Sequence, residues 1–519
     1  WPSSAQQSRA KSCSRPLSAV MNPRIRASLV AVLSALGALL FGLDIGYIAP
    51  ILECASFKRD VAHMADWQNP RSKIDDYTSG FIVGVFSLGC VVSSLPLLSS
   101  YCLDVWGRRN SIILGSAIFL LGSSMQVLSD SILMMLWGRF VSGLSIGLLS
   151  TVVSLYQSEL APSNLRGCLT SIYQLMITAG ILLAALIDHW LVHREPNGWR
   201  WAISIQMMPA VALLLLMPFM PRSPRWLVQQ GRSDEALEAL KLVRDEPEAE
   251  SELTEIQLSH EEAKAFGDLH WRELLRGRAG QLLLLGITLQ ILQQMSGMNA
   301  FMYFGPRIFL EIGFSPTLFQ TCTSLVNFLA TFPALLLADV CGRRSLLWWS
   351  ALGMLVASTS IASFGHAATA GPENDTHVGV GKYGSYVVVS MVFFFVANFA
   401  YGWGPIVWVY SSEMFPLRYR SQCMAAGVCA SWIANYAIAQ GTPVLLGRLG
   451  FFTFYFFAVF ALAALLLAQW LPETKGVMLE HVQRLFDEKL GSRTSRSDSS
   501  LRSKYGSTLL EKDGPLAGS

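Results

Sequence analysis

Long apolar stretches recur along the chain and are separated by shorter polar segments. A bilayer core of about 30 Å needs about 20 apolar residues to be crossed by one α-helix. Twelve stretches, called spans one to twelve, meet this need: roughly 28–49, 78–100, 111–129, 132–157, 169–191, 201–220, 280–303, 316–338, 345–366, 383–411, 421–445 and 450–471. Two connections are longer, a polar loop over 50–77 and a charged segment over 221–279. The pattern predicts an all-α membrane protein divided six plus six.

The composition excludes the other common classes of protein. Of the 519 residues, 52% are hydrophobic and 14% are charged, and the mean hydropathy is +0.41. Soluble domains are about 25% charged, so these charges are too few to cover the surface of a soluble protein of this length. The 22 prolines and 9 cysteines are too few for a disordered, collagen-like or disulfide-stapled chain. A net charge of +3 is too mild to indicate a nucleic-acid partner.

Arginines in the short loops set the predicted orientation. They lie between spans two and three, four and five, eight and nine, and ten and eleven: Arg108, Arg109, Arg166, Arg343, Arg344, Arg418 and Arg420. All four loops fall on one side of the membrane, and positively charged short loops face the cytosol. Both termini then face the cytosol, and the 50–77 loop faces outside. The 221–279 segment lies inside and is expected to form one or two amphipathic surface helices.

These features predict five parts in the chain. They are a cytosolic leader or targeting segment over 1–27, an N-terminal six-helix bundle over 28–220, a cytosolic helical linker over 221–279, a C-terminal six-helix bundle over 280–476 and a disordered cytosolic tail over 477–519. The leader is basic and contains no acid, which fits a plain cytosolic leader or an organellar transit peptide. Met21 is a candidate start.

Two motifs that combine acids with arginines occur once in each half of the chain. Their acids are Asp104, Glu159, Asp339 and Glu413, and their arginines are Arg108, Arg109, Arg166, Arg343, Arg344 and Arg420. Ordered repeats at a nearly constant offset indicate two bundles related by an axis along the membrane normal, with a binding site between them near the midplane. Ion pairs among these residues are expected to latch the cytosolic side closed. Charge that only sets the topology is the alternative.

Six motifs in order resemble the sugar porter family of the major facilitator superfamily. They are the GRR loops, GRFVSGLSIG with YQSELAPSNLRG, PRSPRWL, QQMSGMNAFMYF, YGWGPIVWVYSSEMFP and PETKG. The resemblance covers about residues 28–480 and implies a twelve-helix transporter that works by alternating access. One departure is Arg222, where the family usually has Glu, so one cytosolic ion pair is in question.

An acid inside span one indicates a function, because a carboxylate is costly within the membrane. This acid is Asp44, in LLFGLDIGY. Proton-coupled sugar porters carry Asp at the matching position and mammalian facilitators typically carry Asn, so the resemblance implies that Asp44 is the proton site. Arg139 of span four is its expected partner, and a charge that sets topology is the alternative. Desolvation favours the proton and a nearby guanidinium disfavours it, which would couple the proton to sugar.

Amide and aromatic side chains suit a neutral polyhydroxyl ligand, because they bond hydroxyls without burying a charge. By resemblance, the sugar-binding residues are Gln174, Gln293, Gln294, Asn299, Tyr303, Asn327, Trp408 and Asn435. A break near Gly297 is expected to turn Asn299 onto the face of the span-seven glutamines. Contacts between helices are the alternative for the amides and the preferred interpretation of Gln290. Trp432 is left outside the expected site.

The expected function is import of a monosaccharide, a hexose such as glucose, driven by protons. Ala400 stands where mammalian facilitators carry an acid before their GPGP break, which together with Asp44 argues against a passive hexose facilitator, the main alternative. A non-transporting sugar receptor is a third possibility. An enzyme is not expected, because the sequence contains no nucleotide loop, nucleophile triad or metal-ligand cluster.

The expected partners are the sugar, the proton and the lipid bilayer. No cofactor, metal or nucleic acid is expected, and no oligomer is required. The plasma membrane is the expected location, with the plastid envelope or vacuolar membrane as alternatives. Asn374 begins a glycosylation sequon in a loop predicted to face outside.

Overall fold

The computed structural model describes most of the chain between Pro23 and Lys475. The described residues are 23–69, 72–160, 166–192, 194, 196–265, 277–311, 314–369, 378–415, 420–475, 485–486 and 489. Most of the predicted leader and tail, the sequon at Asn374, and Arg418 lie outside them, as do the side chains of Arg166 and Asp339. Every regular element in the described part of the chain is a helix.

Helices occupy all six spans predicted in the first half. Span one is Pro23–Ser34 with Leu36–Glu53, span two is Asp76–Ser94 with Pro96–Tyr101 and Cys102–Trp106, span three is Gly107–Val127, span four is Ile132–Leu160, span five is Arg166–Leu191, and span six is Gly198–Ile205, Met207–Leu216 and Met217–Phe219. Span one begins earlier than predicted, at Pro23. A short helix, Ala55–Asp60, follows it in the loop to span two.

Helices likewise occupy the six spans of the second half. Span seven is Gly277–Met295 with Met298–Glu311, span eight is Pro316–Cys341, span nine is Arg343–Thr369, span ten is Val378–Tyr401 with Trp403–Met414, span eleven is Arg420–Leu449, and span twelve is Gly450–Phe452 with Thr453–Trp470. Nine stretches of the described chain are long and apolar enough to cross a membrane, and one of these, 422–470, contains spans eleven and twelve. The fold is the predicted pair of six-helix bundles.

Two glycines bring spans two and four into close contact. A β-carbon on Gly143 would overlap the carbonyl oxygen of Phe86, and one on Gly89 would overlap that of Phe140. Lipid provides little hydrophobic drive for helix association, so close backbone packing of this kind supplies the attraction. The same contact places Arg139 of span four 5.3 Å from the centre of the Phe86 ring.

The described residues of the charged segment after span six form three helices, where the sequence predicted one or two. They are Pro224–Gln229, Ser233–Val243 and Glu246–Ala265. The segment is docked on the first bundle: Trp226 Nε1 donates to the Asp104 carbonyl at 2.9 Å, and Arg244 Nη1 donates to the Leu160 carbonyl at 3.0 Å. Arg244 also pairs with Glu252 at 2.8 Å, which joins the second and third linker helices.

A buried ion pair lies at the end of the first bundle that carries the DVWGRR loop. This end and the matching end of the second bundle are here called the Arg-rich side. Arg108 Nη2 lies 2.9 Å from Glu159 Oε1, and Ser223 Oγ donates to the other oxygen of Glu159. Tyr156 OH donates to the carbonyl of Pro221 at 2.7 Å. These contacts tie spans three and four to the chain leaving span six.

The second bundle repeats this cluster contact by contact. Arg343 Nη2 lies 3.0 Å from Glu413 Oε1, and Thr474 Oγ1 donates to Glu413 Oε2 at 2.6 Å. Tyr410 OH donates to the carbonyl of Pro472 at 2.9 Å. The internal repeat predicted from the sequence is therefore confirmed at the level of individual hydrogen bonds.

The two copies differ at Arg222 and Glu473. The Glu473 carboxylate accepts hydrogen bonds from the backbone N–H of Arg343 at 2.8 Å and of Arg344 at 3.0 Å, which caps the start of span nine. Arg222 has no carboxylate that could cap the start of span three in the same way. Its guanidinium lies 5.8 Å from the centre of the Trp226 ring. The family departure noted in the sequence thus replaces a helix cap by a cation–π contact.

We predict that Gly143→Ala destabilises the protein, because the added methyl group must push spans two and four apart. Overpacking of this kind costs about 1–3 kcal/mol, and the purified protein should unfold at a lower temperature. Gly441→Ala is the matched control, since a β-carbon there meets no atom within 4 Å. Equal unfolding temperatures for the two variants would contradict the close contact.

Candidate functional site

Asp44 and Arg139 form an ion pair in the interior of the first bundle. Asp44 Oδ2 lies 3.5 Å from Arg139 Nη2, and both side chains are at most 1% exposed. Spans one and four therefore bring together the two residues that the sequence predicted to be partners. Neither carboxylate oxygen of Asp44 accepts a hydrogen bond from the described residues.

The guanidinium of Arg139 has partners that the sequence analysis did not identify. Its Nη1 donates to Tyr47 OH at 2.6 Å, and its Nη2 lies 3.5 Å from the carbonyl oxygen of Val83. Tyr47 OH in turn bonds Gln126 Oε1. Tyr47 lies one helical turn from Asp44, so its position on the same face of span one was a usable signal.

Span seven is broken where the sequence predicted. One helix ends at Met295 and the next begins at Met298, and Gly297 between them has φ of +97°, which glycine adopts readily. The break allows Asn299 Nδ2 to donate to Gln294 Oε1 at 2.6 Å. Two of the predicted sugar-binding amides are therefore adjacent and partly exposed.

Gln293 connects the break of span seven to that of span ten. Its Nε2 donates to the carbonyls of Trp403 and Gly404, each at 2.8 Å, next to the point where span ten is interrupted between Tyr401 and Trp403. Its Oε1 is buried and has no hydrogen-bond partner in the described part of the chain. A buried acceptor of this kind is costly unless a donor reaches it.

Apart from Trp408 of span ten, the other predicted sugar contacts come from four different spans. Tyr303 OH donates to Asn435 Oδ1 at 3.2 Å, which joins spans seven and eleven, and both side chains are buried. Asn327 of span eight is also buried. Gln174 of span five is partly exposed.

Two tryptophans of the second bundle face the first. Trp408 packs against an apolar cluster formed mainly by first-bundle side chains, and its contact with sugar stays a prediction. Trp432, left outside the predicted site, belongs to the same cluster. Its ring makes edge contacts with Phe41 at 5.2 Å and with Phe86 at 6.1 Å. Because Phe86 also contacts Arg139, Trp432 lies closer to the charged pair than the sequence suggested.

The bundles are joined on the side opposite the Arg-rich side. Arg307 Nη1 of span seven lies 2.7 Å from Asp76 Oδ1 of span two. Gln440 Nε2 of span eleven donates to the Tyr77 carbonyl at 3.2 Å. These contacts close one end of the interface between the bundles.

The predicted latch residues that can be seen make contacts within their own bundles. Besides the Arg108–Glu159 and Arg343–Glu413 pairs, Arg109 Nη1 donates to the carbonyl of Met220 at 3.2 Å. Arg344 Nη2 donates to the Gln469 carbonyl at 2.6 Å, and Arg420 Nε donates to the Phe415 carbonyl at 3.4 Å. The backbone carbonyl of Asp104 accepts a hydrogen bond from Trp226 of the linker, as described above. A latch between the bundles remains a prediction.

One further acid was missed by the sequence analysis. Asp188, near the end of span five, is 1% exposed, and neither of its oxygens has a hydrogen-bond partner among the described residues. Its sequence signal was the same as that of Asp44, an acid within an apolar helix. In the described part of the chain, no group of three acids, histidines or cysteines is arranged to hold a metal ion.

Comparison with known proteins identifies the family. The model of the family described as "Sugar (and other) transporter" matches residues 30–486. The low-affinity glucose transporter HXT1 of Saccharomyces cerevisiae is 34% identical over 480 residues, which cover 89% of this chain and 82% of that protein. The galactose-proton symporter of Escherichia coli K12 is 34% identical over 463 residues, covering 88% of this chain and 93% of that protein.

A solved structure agrees with this assignment. The proton:xylose symporter XylE, bound to 6-bromo-6-deoxy-D-glucose, superposes with a TM-score of 0.72 at 27% identity, covering 89% of this chain and 98% of that one. Together with the twelve helical spans and the family match over most of the sequence, this shows a multi-pass membrane protein that transports sugar. The chain belongs to the sugar porter family of the major facilitator superfamily.

Proposed function

We propose that the protein imports a monosaccharide, a hexose such as glucose, together with protons. The observation that carries the proposal is the buried pair of Asp44 and Arg139. An ionisable pair in the membrane interior costs free energy and is retained where it serves transport. The galactose-proton symporter and the proton:xylose symporter among the similar proteins support the coupling, whereas HXT1 is named only as a glucose transporter.

Coupling follows from two ways of stabilising Asp44. When the carboxylate is charged, the guanidinium of Arg139 at 3.5 Å balances it. When Arg139 moves away, burial favours the neutral, protonated acid. A sugar that stabilises the second arrangement raises proton affinity, and by linkage the proton raises sugar affinity to the same extent.

The sugar is proposed to lie between the bundles, among the amides and Trp408. Gln293 Oε1 is a buried acceptor without a donor in the described chain, and a sugar hydroxyl supplies one. Asn299 and Gln294 offer a bonded, partly exposed amide pair whose remaining donors and acceptors can meet further hydroxyls. The indole of Trp408 provides an apolar face for the C–H side of a pyranose ring.

Alternating access would then rock the bundles around this site. The Asp76–Arg307 pair holds the bundles together on the side proposed to face outside. On the Arg-rich side, proposed to face the cytosol, Arg108 and Arg343 are paired within their own bundles. In the outward-facing state the predicted latch residues would pair across the bundles there, among them Asp104, Arg109, Arg166, Asp339, Arg344, Glu413 and Arg420.

The coupling is tested by labelled glucose uptake into proteoliposomes with an inward proton gradient. We predict accumulation above equilibrium that collapses when a protonophore is added, because the proton gradient is the only energy source supplied. Equilibration that ignores the gradient would show a passive facilitator. Absence of flux for any hexose would refute the hexose assignment.

We predict that Asp44→Asn abolishes accumulation but leaves sugar exchange at equal pH, since an amide cannot bind and release the proton. Asp188→Asn is a matched control, because it neutralises the other buried acid whose oxygens lack partners in the described chain. This control should still accumulate sugar. The reverse pattern, with accumulation lost only in Asp188→Asn, would move the proton site to span five.

We predict that Gln174→Ala weakens sugar affinity roughly 2–13-fold, as expected for the loss of one neutral hydrogen bond worth about 0.5–1.5 kcal/mol. Equilibrium sugar binding to the purified protein measures the change. Gln229→Ala, at an exposed position on the first linker helix, is the control. Equal affinities for the two variants would assign Gln174 to helix packing.

A further inference from the structure

Tyr47 competes with Asp44 for the same arginine. Arg139 Nη1 donates to Tyr47 OH at 2.6 Å, whereas Arg139 Nη2 is 3.5 Å from the nearer oxygen of Asp44. The shorter contact meets hydrogen-bond geometry, and the ion pair does not, because both Asp44 oxygens lack a hydrogen-bond partner in the described chain. In this state the guanidinium makes a hydrogen bond to Tyr47 and only a longer-range ion pair with Asp44.

The tyrosine is fixed in place by a circuit of hydrogen bonds. Tyr47 OH accepts from Arg139, so its own hydrogen is free to be donated to Gln126 Oε1. Gln126 Nε2 donates to Ser142 Oγ at 2.9 Å, and Ser142 Oγ donates to the Arg139 carbonyl at 3.1 Å. All four side chains are at most 2% exposed. The circuit begins and ends on Arg139, so it specifies where the arginine lies.

Ring contacts hold the guanidinium on this side of the site. Its carbon lies 5.6 Å from the centre of the Tyr47 ring and 5.3 Å from that of Phe86. Both distances are within the range of cation–π attraction. A Tyr47→Phe substitution would therefore keep the ring contact and remove only the hydroxyl, which makes it a selective probe.

We propose that Tyr47 is a positioning residue that holds Arg139 away from Asp44 and thereby sets the pH range in which the acid takes up its proton. This inference rests on the proposed function, in which Asp44 carries the coupled proton. With Arg139 on Tyr47, the carboxylate loses part of its counter-charge and the proton is favoured. With Arg139 on Asp44, the proton is released.

Within the described residues, few other titratable groups face this pair. Span two contributes Cys90, span seven contributes Tyr303, and span five contributes Tyr173 beside Cys90, all uncharged near neutral pH. Span six contributes the neutral amide Gln206 beside Tyr47. A change in pH dependence caused by loss of the Tyr47 hydroxyl is therefore attributable to the group formed by Asp44, Arg139 and Tyr47.

The test compares proton-driven glucose uptake by proteoliposomes across a range of external pH. In Tyr47→Phe, Arg139 is free to approach Asp44 and stabilise its charged form. The pH of half-maximal uptake should fall by on the order of one unit, which is a tenfold higher proton concentration. Gln126→Met should shift it the same way, because the released Tyr47 hydroxyl can then donate to the carboxylate. Tyr386→Phe, at an exposed position in span ten, should leave the profile unchanged.

Sugar exchange at equal pH on the two sides is measured in parallel and should be retained in every variant. A wild-type pH profile in Tyr47→Phe would overturn the proposal while leaving proton coupling intact. Loss of exchange in Tyr47→Phe would also overturn it, since the hydroxyl would then be needed for translocation or folding. A wild-type protein that ignores the proton gradient would refute the coupling itself, and this inference with it.

Discussion

A guanidinium buried inside a membrane protein needs a counter-charge and hydrogen-bond acceptors, and the first bundle is organised around that need at Arg139. Two spans contact the guanidinium of Arg139 directly, span one through Asp44 and Tyr47 and span two through the Val83 carbonyl. Gln126 of span three and Ser142 of span four act indirectly, because they link the Tyr47 hydroxyl to the backbone carbonyl of Arg139. The glycine contact between spans two and four permits this approach. Because an unpaired buried charge costs several kcal/mol, a helix that shifts in this bundle must carry its partner contact with it or exchange it for another.

The second bundle is built on a different principle. Its central side chains are neutral amides and aromatics, and its helices are interrupted, at Gly297 in span seven and at Gly402 in span ten. Gln293 joins the two interruptions by bonding the carbonyls of Trp403 and Gly404, next to the second one. In the proposed cycle, charge chemistry belongs to the first bundle and hydroxyl recognition mainly to the second. They meet where Trp432 contacts Phe86, whose ring also packs on Arg139.

Features that depend on local sequence were predictable, and features that depend on which helices face one another were not. The lengths of the apolar stretches predicted the spans, and the repeated acids and arginines predicted the two bundles. Gly297 predicted the break in span seven. The Asp44–Arg139 partnership followed from the resemblance. Tyr47 and Gln126 are polar residues in apolar helices, but their importance comes from contacts between spans, because Tyr47 accepts from Arg139 and donates to Gln126. The periodicity of a single span does not predict such contacts. Similarly, Trp432 acquires its place from the packing of span eleven on span two.

The internal repeat is most informative where its copies differ. Glu159 and Glu413 each pair with an arginine and accept from a hydroxyl at equivalent positions of the two halves. Only the second half has a further carboxylate, Glu473, which caps the start of span nine. In the first copy Arg222 stacks on Trp226, and Trp226 donates to a carbonyl of the DVWGRR loop. In the first bundle, Trp226 of the linker therefore stabilises the loop between spans two and three. In the second bundle, the Glu473 side chain stabilises the equivalent loop between spans eight and nine. The Trp226 contact, together with the hydrogen bond from Arg244 to the Leu160 carbonyl, attaches the first two linker helices to the first bundle.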